Sequence, residues 1–258
     1  MDISRGRSVR TRAYRGGRVK EEGFPIEDVS EHLRDPDTVV WIDICAADAG
    51  DLAIVASELG LHELAVEDAL ESRQRPKLDR YADHQLISMY AVHFDKATPE
   101  LKIDELTVFI TPFALVTVRE ETFDIDAVVA RWDASPDLAD HGVGYLLYGL
   151  IDHVVDGHFD AVRELDEEIE YLEDLLFGDT SGVAEVQRRS FGLRKALVVL
   201  RRVVLPMREV VNTLMRRNLH VVDDEMAPYF QGVYDHVLRA TEWTESLRDM
   251  VSPPWRPI

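Results

Sequence analysis

The 258-residue sequence holds a single cysteine, Cys45. No disulfide can form within the chain, and nothing points to an oxidising compartment. Cys45 follows the apolar stretch Val39–Ile44, where a buried, inert thiol is expected. Long apolar runs are missing too. A bilayer span needs roughly 20 apolar residues, whereas the longest uncharged run, Leu106–Val118, has thirteen and is broken by Pro112. The N-terminus is basic with no apolar stretch behind it, so it does not read as a secretory signal. The chain as written is expected to be cytoplasmic.

Basic residues are scarce. The chain has 29 Lys plus Arg against 49 Asp plus Glu, a net charge of −20. Residues 1–20 hold seven bases and one acid, leaving 22 bases against 48 acids in the other 238 residues. Such a body repels phosphate backbones, so no nucleic-acid partner is expected. Its carboxylates favour hard cations with oxygen ligands. The N-terminal arginines read as a solvated face of an edge strand around Val9–Tyr14 rather than as a nucleic-acid arm. Enzyme signatures are also absent: there is no P-loop, no Gly-x-Ser-x-Gly elbow and no His-Glu-x-x-His. His62-Glu63 begins the last of these, but Val66 stands where its second histidine belongs. His153 and His158 are spaced by five, poor for shared ligation on one helix face, and His84 and His93 read as structural. No catalytic residue is assigned, and the chain is not expected to be an enzyme.

What is present divides near Pro136. Residues 1–136 alternate strand-like and helix-like segments, a mixed α/β/α layered domain. Strands are predicted over Thr38–Ile44, Gln85–His93, Glu105–Ile110 and Ala114–Val118. Helices are predicted over Asp48–Leu59, His62–Glu71 and Phe123–Trp132, the last with Asp124 as N-cap. Three long antiparallel helices follow, making the class α+β. The first, Gly144–Phe177, is about 50 Å long at 1.5 Å per residue. Its apolar positions step by three or four, as in a coiled-coil seam, with His158 filling one place. After a turn at Gly178–Gly182 a second helix runs from Val183 to Arg217, with a kink expected at Pro206. The two form a hairpin over residues 142–219. A third helix occupies 224–252 and stops at Pro253-Pro254.

The first long helix carries Asp152, Asp156, Asp160, Glu164 and Glu168 at strict i+4 spacing. Like charges at that spacing destabilise a helix, so something must offset them. Residues 188–217 hold nine bases and one acid, and antiparallel packing would face the two runs. That pairing is the reading adopted; the alternative is a row of divalent cations along the acids. Glu67-Asp68 is a smaller constellation. Neighbours on a helix point about 100° apart, so one ion within one chain is not expected to take both. Facing different partners, they would bridge subunits through Mg2+, which keeps several waters and needs only one or two carboxylates.

Leu61–Leu70 (LHELAVEDAL), Gln74–Tyr81 (QRPKLDRY), Glu105–Val118, Tyr145–Phe159 (YLLYGLIDHVVDGHF), Leu205–Leu214 (LPMREVVNTL) and Tyr229–Met250 (YFQGVYDHVLRATEWTESLRDM) together resemble the cytoplasmic part of the CorA family of magnesium and cobalt transporters. The resemblance covers most of residues 10–250 in family order. It implies a funnel-shaped homopentamer, in which an α/β domain leads into two "willow" helices and a stalk helix that enters the membrane. It also implies regulatory Mg2+ sites between cytoplasmic domains, with Co2+ as a second ion, whose loss opens the gate. Glu67 and Asp68 match the family's acidic pair there, and Asp156 falls at another family carboxylate. The position across the interface is acidic in some members but is Gly232 here, and Asp235, three residues on and on the same helix face, is the expected substitute.

The family continues into two membrane helices with a Gly-Met-Asn signature between them. Here the third helix reaches Val251-Ser252 and then reads Pro-Pro-Trp-Arg-Pro-Ile, without that signature. The expectation is a cation-sensing domain without a pore, truncated by a deletion, frameshift or early stop, or trimmed deliberately. Two other readings stand beside it. One is a zinc-transporting relative; the other is a soluble regulatory subunit that mixes with full-length membrane transporter subunits.

Overall fold

The computed structural model describes residues 6–71, 73–177, 183–216 and 221–251. Seven strands form one sheet: β1 (Ser8–Arg15), β2 (Arg18–Glu22), β3 (Thr38–Cys45), β4 (Lys77–Arg80), β5 (Gln85–Asp95), β6 (Glu100–Ile110) and β7 (Ala114–Arg119), in the order β2-β1-β3-β7-β6-β5-β4. All neighbours are antiparallel except β3 and β7, which pair in parallel from Val40↔Ala114 to Cys45↔Arg119.

Strand pleating sends alternate side chains to opposite faces. Val40, Ile42 and Ile44 join one core with Val29 of the short helix α1 (Val29–His32), Leu52 and Val55 of α2 (Ala49–Leu59) and Ala65 of α3 (Glu63–Leu70). Trp41 points the other way. It meets Trp132 of α4 (Ile125–Asp133) edge-on at 5.0 Å and shares a core with Leu147, Ile151 and Val154 of α5 (Val143–Phe177). Both sheet faces are therefore covered. α2 starts at Asp48, which caps it by accepting from the Gly50 and Asp51 amides, and ends at Gly60, whose φ of 66° closes the helix in the left-handed region.

The basic N-terminal strand is not an edge strand. β1 pairs with β3 on one side and β2 on the other, turning through Gly16 and Gly17, both at positive φ. Such a two-residue turn matches the strand twist. β2 is exposed along its whole length and has a single apolar residue, so it carries no periodic signal. Arg10 and Arg12 are not a free solvated face either, since they reach Asp126 (2.6 Å) and Asp133 (3.0 Å) on α4. Cys45 is buried, as expected. His62 turns out to cap α3, its Nδ1 accepting from the Leu64 amide at 3.1 Å.

α5, α6 (Val183–Leu214) and α7 (Ala227–Val251) are the three long helices. Asp223 accepts from the Met226 amide at 2.6 Å just before α7 begins. Ring contacts of Tyr148 with Tyr229 and of Phe159 with Trp243 show α5 and α7 running in the same direction. α6 runs opposite to both, through Glu168–Arg189 on one side and Arg201–Glu245 on the other. It continues across Pro206. The predicted turn at 178–182, the end of α6 at Arg217 and the stop at Pro253-Pro254 lie outside the described residues. In its first half the apolar seam of α5 packs on the sheet, and in its second half it packs against α6 and α7.

The matching of acidic α5 to basic α6 is met at Glu168. That buried carboxylate takes two bonds from Arg189, at 2.7 and 2.9 Å. The other acids turn elsewhere. Asp152 and Asp156 go to Arg131 of α4, Asp160 to Arg163 on its own helix, and Glu164 to Lys96 in the β5–β6 turn. The reason is the apolar stripe of α6, Leu193, Leu197, Leu200 and Val204, which faces the shared core and leaves Arg194, Lys195 and Arg202 on the outside.

Candidate cation site

Glu67 and Asp68 sit on α3, a helix of two turns. Asp68 is already paired, 2.6 Å from the Lys77 ammonium, which also meets Asp79 at 2.7 Å. Gln74 donates to the Asp68 carbonyl at 3.0 Å and ties the following loop to the helix. Glu67 is exposed and has no side-chain partner among the described residues. Asp235 is exposed on α7 and accepts from Gln231, one turn back, at 2.9 Å. A Cβ added at Gly232 would meet nothing within 4 Å, so this surface is open but offers no ligand.

Asp156 has different company. Asp152 lies one turn before it on α5, and His236 of α7 faces both. One ligand atom from each of the three comes within 4.8 Å of the others. All three are half-buried, and they are the one such cluster among the described residues. The i+4 spacing of the acid stripe places the two carboxylates on one helix face. His236 comes from some 80 positions later in the chain, so only the packing of α7 on α5 brings it in. That packing is fixed by Phe230, Val233 and Val237, which are buried in the common core, and by the edge-on contacts of Tyr148 with Tyr229 and Phe230.

A fourth group holds the cluster. Arg131 of α4 pairs with Asp152 and, at 2.8 Å, with Asp156. Its reach depends on Gly149. Trp132, the next residue, comes close enough to α5 that a Cβ at Gly149 would stand 2.6 Å from its ring nitrogen. That nitrogen donates to the Leu146 carbonyl at 3.0 Å. The close approach of α4 to α5 thus puts the guanidinium over both carboxylates. Burial, and then the neighbouring Asp156 carboxylate, push the Asp152 carboxyl above its usual range, while Arg131 pulls it down. One guanidinium cannot neutralise two carboxylates. The carboxylates outnumber the guanidinium by one, and the cluster offers two carboxylate oxygens and one imidazole nitrogen that could serve a divalent cation.

Of the four site residues expected from sequence, then, only Asp156 lies in this cluster. α3, with Glu67 and Asp68, packs on the opposite face of the sheet from α4, α5 and α7. The sequence reading passed over His236, for which no local motif gives a signal, and gave Asp152 no role beyond the stripe.

No helix among the described residues is long and apolar enough to cross a membrane. Residues 36–253 match the family of CorA-like Mg2+ transporter proteins. The cobalt/magnesium transport protein CorA of Thermotoga maritima is 32% identical over 234 residues, covering 89% of this chain and 66% of that protein. The zinc transport protein ZntB of Yersinia pestis is 26% identical over 179 residues, 69% of this chain and 53% of ZntB. This chain therefore spans only part of the length of both relatives. The fold matches the soluble domain of CorA from Methanocaldococcus jannaschii with a TM-score of 0.74 at 21% identity, covering 95% of this chain and 93% of that one. The mixed sheet domain, the long helices and the sequence likeness agree, and the chain belongs to the CorA-like Mg2+ transporter family, a family of transporters rather than enzymes.

Proposed function

We propose that this chain is the cytoplasmic, cation-sensing part of a divalent-cation transporter, and that cations act on it at Asp152, Asp156 and His236. The observation that carries this is the cluster itself: two carboxylates share one guanidinium and leave a charge for a cation to take. Mg2+ and Co2+ are the proposed ions and regulation is their proposed role.

Glu67 and Asp68 enter through a second copy. The sheet separates them from Asp156 within one chain, so an ion that uses both α3 and α5 must lie between subunits. The proposed assembly is therefore a homo-oligomer, a pentamer on the family pattern, with full-length membrane subunits as further proposed partners. Ions held only by the assembled form would stabilise it by about 2.7 kcal/mol at a hundredfold excess over Kd. Their loss would release the subunits and open the gate.

His236 favours a second reading. An imidazole ligand suits Zn2+ or Co2+ better than Mg2+, which prefers an all-oxygen shell. The site then answers to those ions, as in a zinc-transporting relative.

Thermal unfolding with 1–5 mM Mg2+, Co2+ or Zn2+ tests both. A rise in Tm with Mg2+ and Co2+ that Asp156→Asn removes is expected. Higher Tm with Zn2+ than with Mg2+ at equal concentration selects the second reading. If none of the three ions moves Tm, the cation-sensing assignment fails. Light scattering adds the assembly: Asp68→Asn should weaken any Mg2+-driven association without changing the fold.

A further inference from the structure

A cavity of about 1140 Å3 lies between α6, strands β5 and β6, and the loop that joins α3 to β4. Five bases line it: Arg73 and Arg75 from the loop, and Lys195, Arg201 and Arg202 from α6. In a chain of net charge −20 this is a local surplus of positive charge. Its two acids do not cancel it. Glu105 accepts from the Arg73 amide at 2.7 Å, from the Gln74 amide at 3.3 Å and from the Tyr90 hydroxyl at 3.0 Å, so it is spent on holding the loop in place. The Glu120 carboxyl is pushed up by burial and by nearby Asp104 and Glu105, and even with both acids ionised the lining keeps a surplus of three bases.

The bases are free to bind. Arg73, Arg75, Lys195 and Arg202 are exposed, and none makes an ion pair with a described carboxylate. Arg201 has a single such partner, Glu245, at 3.4 Å, and its buried Nε–H has no acceptor. Lys195 and Arg202 are seven residues apart, two turns along one face of α6, opposite the two loop arginines. Cations thus stand on both walls of one cleft, and guanidinium groups suit phosphate oxygens through paired N–H bonds.

We propose that this cleft binds a multivalent phosphate anion between the Arg73–Arg75 loop and α6. Its volume exceeds the needs of a lone phosphate and lies slightly above the usual range of small-molecule sites, about 300–1,000 Å3, so there is room for a ligand of polyphosphate or nucleoside-polyphosphate size. No residue of the cation cluster takes part, and the inference stands apart from the function proposed above.

Calorimetric titration of the whole chain with inorganic triphosphate, ATP and sulfate, all without divalent ions, tests it. Triphosphate is expected to bind at sub-millimolar Kd and sulfate at least tenfold more weakly. Equal affinity for triphosphate and ATP assigns recognition to the phosphates, whereas tighter ATP adds the nucleoside. The triple variant Arg75→Ala, Lys195→Ala, Arg202→Ala changes exposed side chains only and should weaken triphosphate at least tenfold. Arg163→Ala, a base on α5 outside the cleft, should leave it unchanged. Absence of triphosphate binding below 1 mM, or equal binding by the triple variant, overturns the proposal. So does an equal loss in Arg163→Ala, which would mark a diffuse charge effect.

Discussion

Two charged constellations in this molecule look alike on paper and differ in kind. At the C-terminal ends of the parallel strands, Asp43 is fully buried. Arg119 grips it, with Nε at 3.1 Å from both carboxylate oxygens, and the Thr117 hydroxyl donates at 2.7 Å. One carboxylate meets one guanidinium, and its lone pairs are filled. On α5, two carboxylates share Arg131 at a half-open surface, with His236 beside them. The first arrangement balances its charge and leaves nothing to bind. The second is short of positive charge where water and ions can reach it. Stoichiometry and exposure, more than the presence of acids, separate a structural pair from a responsive one.

The sharpest way to break that comparison is Arg119→Met. Leaving Asp43 buried and unpaired is expected to cost about 3–5 kcal/mol. Urea unfolding measures this, and the Tm rise with cations should stay as in the parent chain. A loss below 1 kcal/mol would place Asp43 among the dispensable charges.

His158 gives a third case, a buried titratable group kept neutral. Its Nε2–H donates to the Tyr90 carbonyl at 2.7 Å, while Nδ1 has no partner, and burial lowers its pKa from 6.5 to about 4. The unfolded chain therefore binds the proton first as pH falls. Stability is full above pH 6.5 and is lost between 6.5 and about 4, by roughly 3 kcal/mol in all. His158→Phe should flatten that part of the pH profile, and an unchanged slope would assign the acid loss to other groups.

Arg131→Gln probes the second constellation directly. Without cations it should cost about 1 kcal/mol, since the three groups are partly exposed. With Mg2+ or Co2+ the Tm rise should grow, because the ion no longer competes with a guanidinium. A smaller rise would mean that Arg131 orients the carboxylates for the ion. The finest test is His236→Ala. About tenfold weaker Co2+ binding, ~1.4 kcal/mol, with Mg2+ affected less than threefold, is expected by calorimetry if the imidazole is a ligand.

Much of the fold was legible because its elements are long and periodic. β3, β5 and β7 follow from their β-branched and apolar composition and α5 from three-four spacing, and Asp48, Asp124 and Gly60 mark helix ends. β2 and β4 carry mostly charged residues and borrow their strand form from neighbours, so no pattern betrays them. The site was half legible. The i+4 acids announce themselves, but which base answers them depends on tertiary approach: Gly149 admits Trp132 and so brings Arg131. His236 enters through a helix contact that no local spacing encodes.

The parallel pairing of β3 with β7 also sets the order in which the protein can be made. Val40 must wait for Ala114 to leave the ribosome. At about 5–20 residues per second, the gap is roughly 4 to 15 s. The β1–β2 hairpin can cover one side of β3 early, but its other side, apolar and destined for the middle of the sheet, stays bare until residue 119 is synthesised. The nascent chain thus passes through a stage with a half-finished sheet and an open edge, when a holding chaperone would matter most.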